Sequence, residues 1–309
     1  MKFVDLRDGM QAGDNAVNSV FEALELLIIQ AAFAHAYQWT SQFEVWFARS
    51  SELGVNISRA AAEFLAKIGM GNRANLFART MHYKSLSPES DPALVSAVKE
   101  ARDAGMTSMT FVSKATPRQT RESFNLDTPE LHIGQVGQSF AYAREQWITD
   151  LTLDPEHSFE AMRGTVEDRE FFMKMCVAAY EGGCRKIVLC DTNGETTPEE
   201  IKQSLLWLHS IGDKISDADF WPRWQRMMAE MQWGLHLHDD STYALASTMQ
   251  ALDTGRLNHV DMTLIESGER GGGNNQFLKW ACQMFQERGI NIFGDNEEIW
   301  KYMVACSHR

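Results

Sequence analysis

The chain has 309 residues, 44% of them hydrophobic, and a formal net charge of −13. That length and apolar content suffice for one large domain with a full core. The acidic balance speaks against a nucleic-acid partner or an anionic membrane surface, while a local cluster of Arg and Lys would still hold a small anion.

The chain opens with an apolar run, 2–6, that reads as a strand and closes in Arg7-Asp8-Gly9. This start carries no signal-peptide pattern. A helical pattern follows over 15–36, and its most apolar part, 24–34, is too short to span a bilayer. Short β-rich runs at 43–47, 74–77, 108–112, 148–153, 186–190, 233–237 and 259–264 then alternate with helical patterns. The helices are expected near 57–68, 91–104, 128–146, 166–182, 198–211, 241–254 and 274–287. Ser90-Asp91-Pro92, Asp127-Thr128-Pro129-Glu130 and Thr196-Thr197-Pro198 are helix start signals. Eight strand-then-helix units predict a (β/α)8 barrel with parallel strands. Residues 212–231 are longer than a plain crossover and predict a helical excursion before the seventh strand. The barrel is expected over 1–290, with 291–309 as a C-terminal extension, either a final helix or a partner contact. The five cysteines form no CxxC pair and no even framework, so they read as reduced thiols of a cytoplasmic protein.

Such a barrel gathers its active-site groups at the C-terminal ends of its strands. Polar residues fall there repeatedly. Arg7 and Asp8 follow the first strand, Glu44 lies in the second, and Arg79 and Thr80 follow the third. Lys114 comes after the fourth, Glu156 and His157 after the fifth, Asp191 and Thr192 after the sixth. His236 and His238 end the seventh, and Glu269, Arg270 and Asn274 follow the eighth. This placement points to an enzyme.

His236 and His238 share one face, because side chains at i and i+2 of a strand point the same way. Two imidazoles side by side are half of a metal site; the alternative is a polar pair satisfied inside the barrel. If the chain ends meet, Asp8 adds a carboxylate and Arg7 a neighbouring cation. Arg7 either pairs with a carboxylate or stabilises a developing enolate or alkoxide. Glu44, within Phe43-Glu44-Val45-Trp46-Phe47, must be paired or protonated. It is either the salt-bridge partner that orients Arg7 or a general acid/base. Glu156 and His157 are further proton-transfer candidates. Gly271-Gly272-Gly273 is either a mobile loop or a source of backbone N–H groups for an anion.

Several motifs together resemble the family of isopropylmalate, homocitrate and citramalate synthases and hydroxymethylglutaryl-CoA lyase, metal-dependent barrels. These motifs are Arg7-Asp8-Gly9, the HxHxD run from His236, Leu189-Cys190-Asp191-Thr192-Asn193-Gly194 and Asp154-Pro155-Glu156-His157-Ser158-Phe159. Leu76-Phe77-Ala78-Arg79-Thr80 and Gly268-Glu269-Arg270 complete the set, which is most similar to citramalate-synthase-like members. The resemblance implies Asp8, His236, His238 and Asn274 as ligands of a divalent ion (Mg, Mn, Co or Zn), with Asn275 as the alternative to Asn274. It implies Arg79, Thr192 and Arg270 as substrate contacts and Arg7, Glu44 and Glu156 as catalytic groups. The implied reaction condenses an acyl-CoA, acetyl-CoA above all, with a 2-oxo acid. A lyase or aldolase running the reverse chemistry, and a non-catalytic barrel subunit, are the alternatives. The resemblance also implies a homodimer, or a partner chain supplying the subdomain that synthases carry beyond the barrel. Two departures stand out: Asp239 replaces the usual asparagine, and the final loop is one glycine longer.

Overall fold

The computed structural model describes residues 1–9, 17–36, 41–82, 84–124, 128–210, 219–263, 268–269 and 273–274. In chain order the first half comprises β1 (Lys2–Phe3), α1 (Val20–Ala36), β2 (Gln42–Phe47), α2 (Glu52–Lys67), β3 (Ala74–Arg79), α3 (Pro92–Asp103), β4 (Ser108–Lys114), α4 (Pro117–Phe124) and α5 (Glu130–Glu145). The second half comprises β5 (Asp150–Glu156), α6 (Ser158–Arg163), α7 (Val166–Gly182), β6 (Lys186–Asp191), α8 (Pro198–Ser210), α9 (Phe220–Glu230), β7 (Gln232–Leu237), α10 (Ala244–Leu252) and β8 (His259–Met262). Two short strands, β9 (Gly268–Glu269) and β10 (Gly273–Asn274), pair antiparallel. Strands β1 to β8 close into a barrel in sequence order, each parallel to its neighbours. This is the (β/α)8 architecture expected from the alternation.

Local chemistry sets the boundaries. Ser51 accepts a hydrogen bond from the Gly54 N–H and starts α2 earlier than its apolar pattern suggests. Asp91 caps α3 through Ala93 and Leu94, with Pro92 in the first turn. Thr165 and Asp168 form a reciprocal capping box on α7. Between α5 and α7, a Cβ at Gly182 would lie 2.4 Å from the Gly137 carbonyl oxygen, so only glycine permits this approach.

The expected excursion before the seventh strand is α9, whose Phe220, Trp224 and Met227 are buried. Two helices, α4 and α6, were not legible in the periodicity, being only 8 and 6 residues long. The first strand is shorter than expected: the chain leaves the sheet after Phe3 and winds a π-helical turn over Asp5–Gly9. The expected helix at 274–287, the extension at 291–309 and Leu264 lie outside the described residues.

Barrel interiors are usually packed with branched apolar side chains. Here the interior carries a charged layer. Lys2, 1% exposed, places its Nζ 2.9 Å from Glu44 Oε1 and 3.1 Å from Asp261 Oδ2. Asp154 Oδ2 is 3.8 Å away and Thr110 Oγ1 3.5 Å. Burial works against the ammonium, but Asp154, Asp261 and Glu44 outweigh it and hold Lys2 above the ordinary lysine range. Asp261 sits well below the usual carboxylate range: burial opposes ionisation, and Lys2 with two histidine hydrogen bonds overcomes it. Beneath this layer Gln42 bonds Ser108 and accepts from Lys186 Nζ at 2.7 Å.

Removing one partner of such a cluster leaves buried charge uncompensated. Lys2→Met is therefore expected to cost about 3–5 kcal/mol in chemical denaturation; a loss below 1 kcal/mol would contradict the network's role. A second expectation concerns His132, fully buried with Nε2 2.8 Å from Ser113 Oγ, whose burial pushes it down to about 4. The folded state keeps this ring neutral while the unfolded chain protonates it near 6.5. Its stabilisation is thus complete above pH 6.5 and lost as pH falls toward 4. His132→Gln should flatten the pH dependence of stability in that window by about 1.4 kcal/mol per pH unit. An unchanged slope in denaturation at pH 4.5 and 7 would refute this.

Candidate active site

The seventh strand delivers His236 and His238 to the C-terminal mouth of the barrel, both nearly buried. Their Nδ1 atoms face acceptors: His236 lies 3.2 Å from Asp261 Oδ2 and His238 3.0 Å from the Thr192 carbonyl oxygen. A carbonyl and an ionised carboxylate only accept, so each Nδ1 carries the ring proton. The two Nε2 atoms then present lone pairs toward each other across 3.3 Å. Two imidazole lone pairs aimed at one point suit a cation, and orienting partners on the far ring nitrogens are the usual support for metal-ligating histidines. The residues present therefore fit a divalent ion. Among the described residues no group of three or more His, Cys, Asp and Glu converges as a metal site. The side chains of Asp8, Glu269 and Asn274, together with Arg270 and Asn275, lie outside the described residues. The backbone of β9 packs against the Asp5–Gly9 turn, which brings the two chain segments bearing Asp8 and Glu269 together.

That turn aims Arg7 at the mouth. Its Nε donates to Glu44 Oε2 at 2.5 Å, and its guanidinium carbon lies 4.0 Å from the centroid of the Phe77 ring. Glu44 is fully buried behind it, with its other oxygen on Lys2. The structure places Glu44 as the ion-pair partner of both Arg7 and Lys2. Both carboxylate oxygens are held by cations, and Glu44 does not reach the cavity wall.

A cavity of about 410 Å³ opens beside these groups, and Arg7, Glu156, Thr192, His236 and His238 line it. Thr192 stands in a turn that is locked from several sides. The Asp191 carboxylate accepts from the Thr196 N–H at 3.0 Å and from its hydroxyl at 2.8 Å. Gly194 adopts φ +63°, and a Cβ there would meet Asp240 Oδ2 at 2.7 Å and the His238 carbonyl at 2.8 Å. The Thr192 hydroxyl accepts from the His157 N–H at 2.8 Å, which leaves its own proton to donate. Asp191-Thr192-Asn193-Gly194 is thus a turn and a cavity wall at once.

Glu156 pairs with Lys114, both about a quarter exposed. His157 takes a left-handed backbone with φ +63° and turns its ring to Glu160 at 3.1 Å. It does not line the cavity, and burial lowers its pKa. Arg79 ends β3 exposed and away from the cavity wall, so the structure does not gather it with the other candidate contacts. Asp239, the departure from the usual asparagine, accepts from the Ala244 N–H at 2.8 Å and starts α10.

Sequence reasoning missed Lys2, Asp154 and Asp261. The signal for Asp261 was His259 two positions earlier: both rest on one strand face, and His259 Nε2 meets Asp261 Oδ1 at 2.8 Å. Lys2 stood in an apolar strand just as Glu44 did, and the rule that a buried charge needs a partner applies to both.

The sequence model of the HMGL-like family matches residues 2–303. An (R)-citramalate synthase of Sulfolobus acidocaldarius is 27% identical over 74% of this chain and 38% of its own length. A 2-isopropylmalate synthase of Paracidovorax citrulli is 23% identical over 61% of this chain and 33% of its own. The chain thus spans only about a third of the length of these curated relatives. The crystal structure of the HMG-CoA lyase from Brucella melitensis shares the fold, with a TM-score of 0.66 and 14% identity, covering 100% of this chain and 98% of that one. A closed parallel barrel with paired histidines at its mouth, matched from one end to the other, belongs to the HMGL-like family.

Proposed function

We propose that this barrel is a divalent-metal-dependent enzyme that condenses an acyl-CoA, acetyl-CoA foremost, with a 2-oxo acid to give a 2-hydroxy-2-alkyl dicarboxylate. The observation that carries this reading is the convergence of His236 and His238 Nε2 at 3.3 Å beside Arg7 in one cavity. The likeness to citramalate and isopropylmalate synthases supports it. Asp8, His236, His238 and Asn274 would hold the ion, with Asn275 as the alternative fourth ligand, and Mg, Mn, Co and Zn all suit these donors. When bound, the ion would supply Lewis acidity toward the substrate ketone.

The chain's own residues do the rest. Thr192 donates its hydroxyl proton to the substrate carboxylate, and Arg270 pairs with the same group. Glu156, steadied by Lys114, removes a proton from the acyl α-carbon. The resulting enolate attacks the ketone carbon, and Arg7 stabilises the negative charge that develops on oxygen. Glu44 fixes the guanidinium so that no reorganisation is needed at that moment. The alkoxide takes that proton back from Glu156, and water then cleaves the thioester, leaving a carboxylate and releasing CoA as the thiol. A like copy of the chain is the proposed partner, forming a homodimer. A carbon–carbon lyase breaking the same bond is the second reading, motivated by the Brucella melitensis lyase with which the chain shares its fold.

Free-thiol release from acetyl-CoA, measured across a panel of 2-oxo acids, tests the first reading. It should require both a divalent ion and one class of acid, and His236→Ala should abolish it. Metal bound without thiol release across the panel would favour the lyase. Asp261→Asn is expected to weaken metal binding about 10–100-fold in calorimetric titration, because His236 loses the acceptor that sets its tautomer. An affinity equal to the parent's would remove Asp261 from this role.

A further inference from the structure

Asp154 lies in the buried stretch of β5, two residues before its end, and lines the active-site cavity, with only 2% of its surface exposed. Its Oδ2 is 3.8 Å from Lys2 Nζ, too far for a good hydrogen bond, and Lys2 is already engaged by Glu44 and Asp261. Its Oδ1 is buried and has no hydrogen-bond partner among the described residues. Buried carboxylate oxygens are nearly always satisfied, so an orphan on a cavity wall marks a place where a donor is expected. Burial pushes this carboxyl up to about 7 against the pull of Lys2, which agrees with a group short of donors.

The neighbours do not supply one. The Cys190 thiol, on the same cavity, is directed to the Val188 carbonyl oxygen at 3.4 Å. Val112 and Phe77 add apolar wall. Among the described residues, Glu195 and Asp240 add acidic charge to the cavity wall beside Asp154, and Arg7, the one described Lys or Arg that lines the cavity, is bonded to Glu44. An alkyl side chain on the substrate would leave Asp154 Oδ1 orphaned, and a second carboxylate would meet like charge.

We infer that Asp154 reads the side chain of the 2-oxo acid by accepting a hydrogen bond from it, so that the substrate bears a hydroxyl or ammonium there rather than an alkyl group or a second carboxylate. The inference rests on the condensation reading above. It assigns the selectivity of that reaction to a carboxylate in the barrel wall. Sites built to bond a polar substituent reject the analogue lacking it far more strongly than apolar pockets reject an added group.

Three acids of equal size make the test: 4-hydroxy-2-oxobutanoate, 4-amino-2-oxobutanoate and 2-oxopentanoate, with oxaloacetate as the dicarboxylate. Their dissociation constants are measured by calorimetry on metal-loaded protein, and thiol release from acetyl-CoA is followed in parallel. A donor-bearing acid should bind at least about 100-fold more tightly than 2-oxopentanoate; whichever of the two binds better names the donor. Asp154→Asn should narrow the gap, and Asp154→Leu should reverse it, with circular dichroism confirming that each variant is folded. Tighter binding of 2-oxopentanoate or oxaloacetate by the parent, or a donor preference that survives Asp154→Leu, would overturn the assignment. Donor-selective binding with no thiol release from any acid would sink the condensation reading and leave Asp154 as the selecting group.

Discussion

One ammonium group organises the reactive end of this barrel. Lys2 Nζ touches Glu44 on one side and Asp261 on the other. Glu44 carries Arg7, and Asp261 carries both His236 and His259. Two groups with different proposed duties, a charge-stabilising guanidinium and a metal-ligating imidazole, are therefore fixed from a single buried point. The cost of burying Lys2 is offset only because several carboxylates share it. An interior of branched apolar side chains would pack as well but could not set the tautomer of His236 or the angle of Arg7.

The loops add a second kind of order. The turn after β6 touches two other strand ends at once, through the His157 N–H to Thr192 and through His238 Nδ1 to the Thr192 carbonyl. It is held by Asp191 from within and closed by Gly194 against Asp240. Sites that rest on rigid strand ends and pinned turns keep their geometry better than sites on free loops. The left-handed backbone at His157 lies at the same junction, beside the N–H that bonds Thr192.

Much of this was legible in the sequence. The alternation of short apolar runs with capped amphipathic segments specified eight strands and their order, and the clustering of polar residues at run ends located the mouth. The HxH spacing alone placed two imidazoles on one face. What escaped depends on closure of the barrel. Lys2 and Asp261 are 259 positions apart in the chain and meet only because β1 pairs with β8 at Lys2 and Asp261. The shortened first strand escaped because nothing in Asp5-Leu6-Arg7 distinguishes a π-helical turn from continued strand. Glu44 meets cations 42 and 37 positions away in the chain, a juxtaposition that only the folded barrel creates, and Arg79, which the resemblance implied as a substrate contact, stands off the cavity wall.

The proposed chemistry requires that His236 and His238 share one ion. X-ray absorption spectroscopy of the zinc- or manganese-loaded protein would report this directly. It should show one bound ion with two imidazole ligands at about 2.0–2.2 Å, both lost in the His236→Ala, His238→Ala double variant. A bound ion without imidazole scattering, or the same spectrum in the double variant, would contradict the central claim.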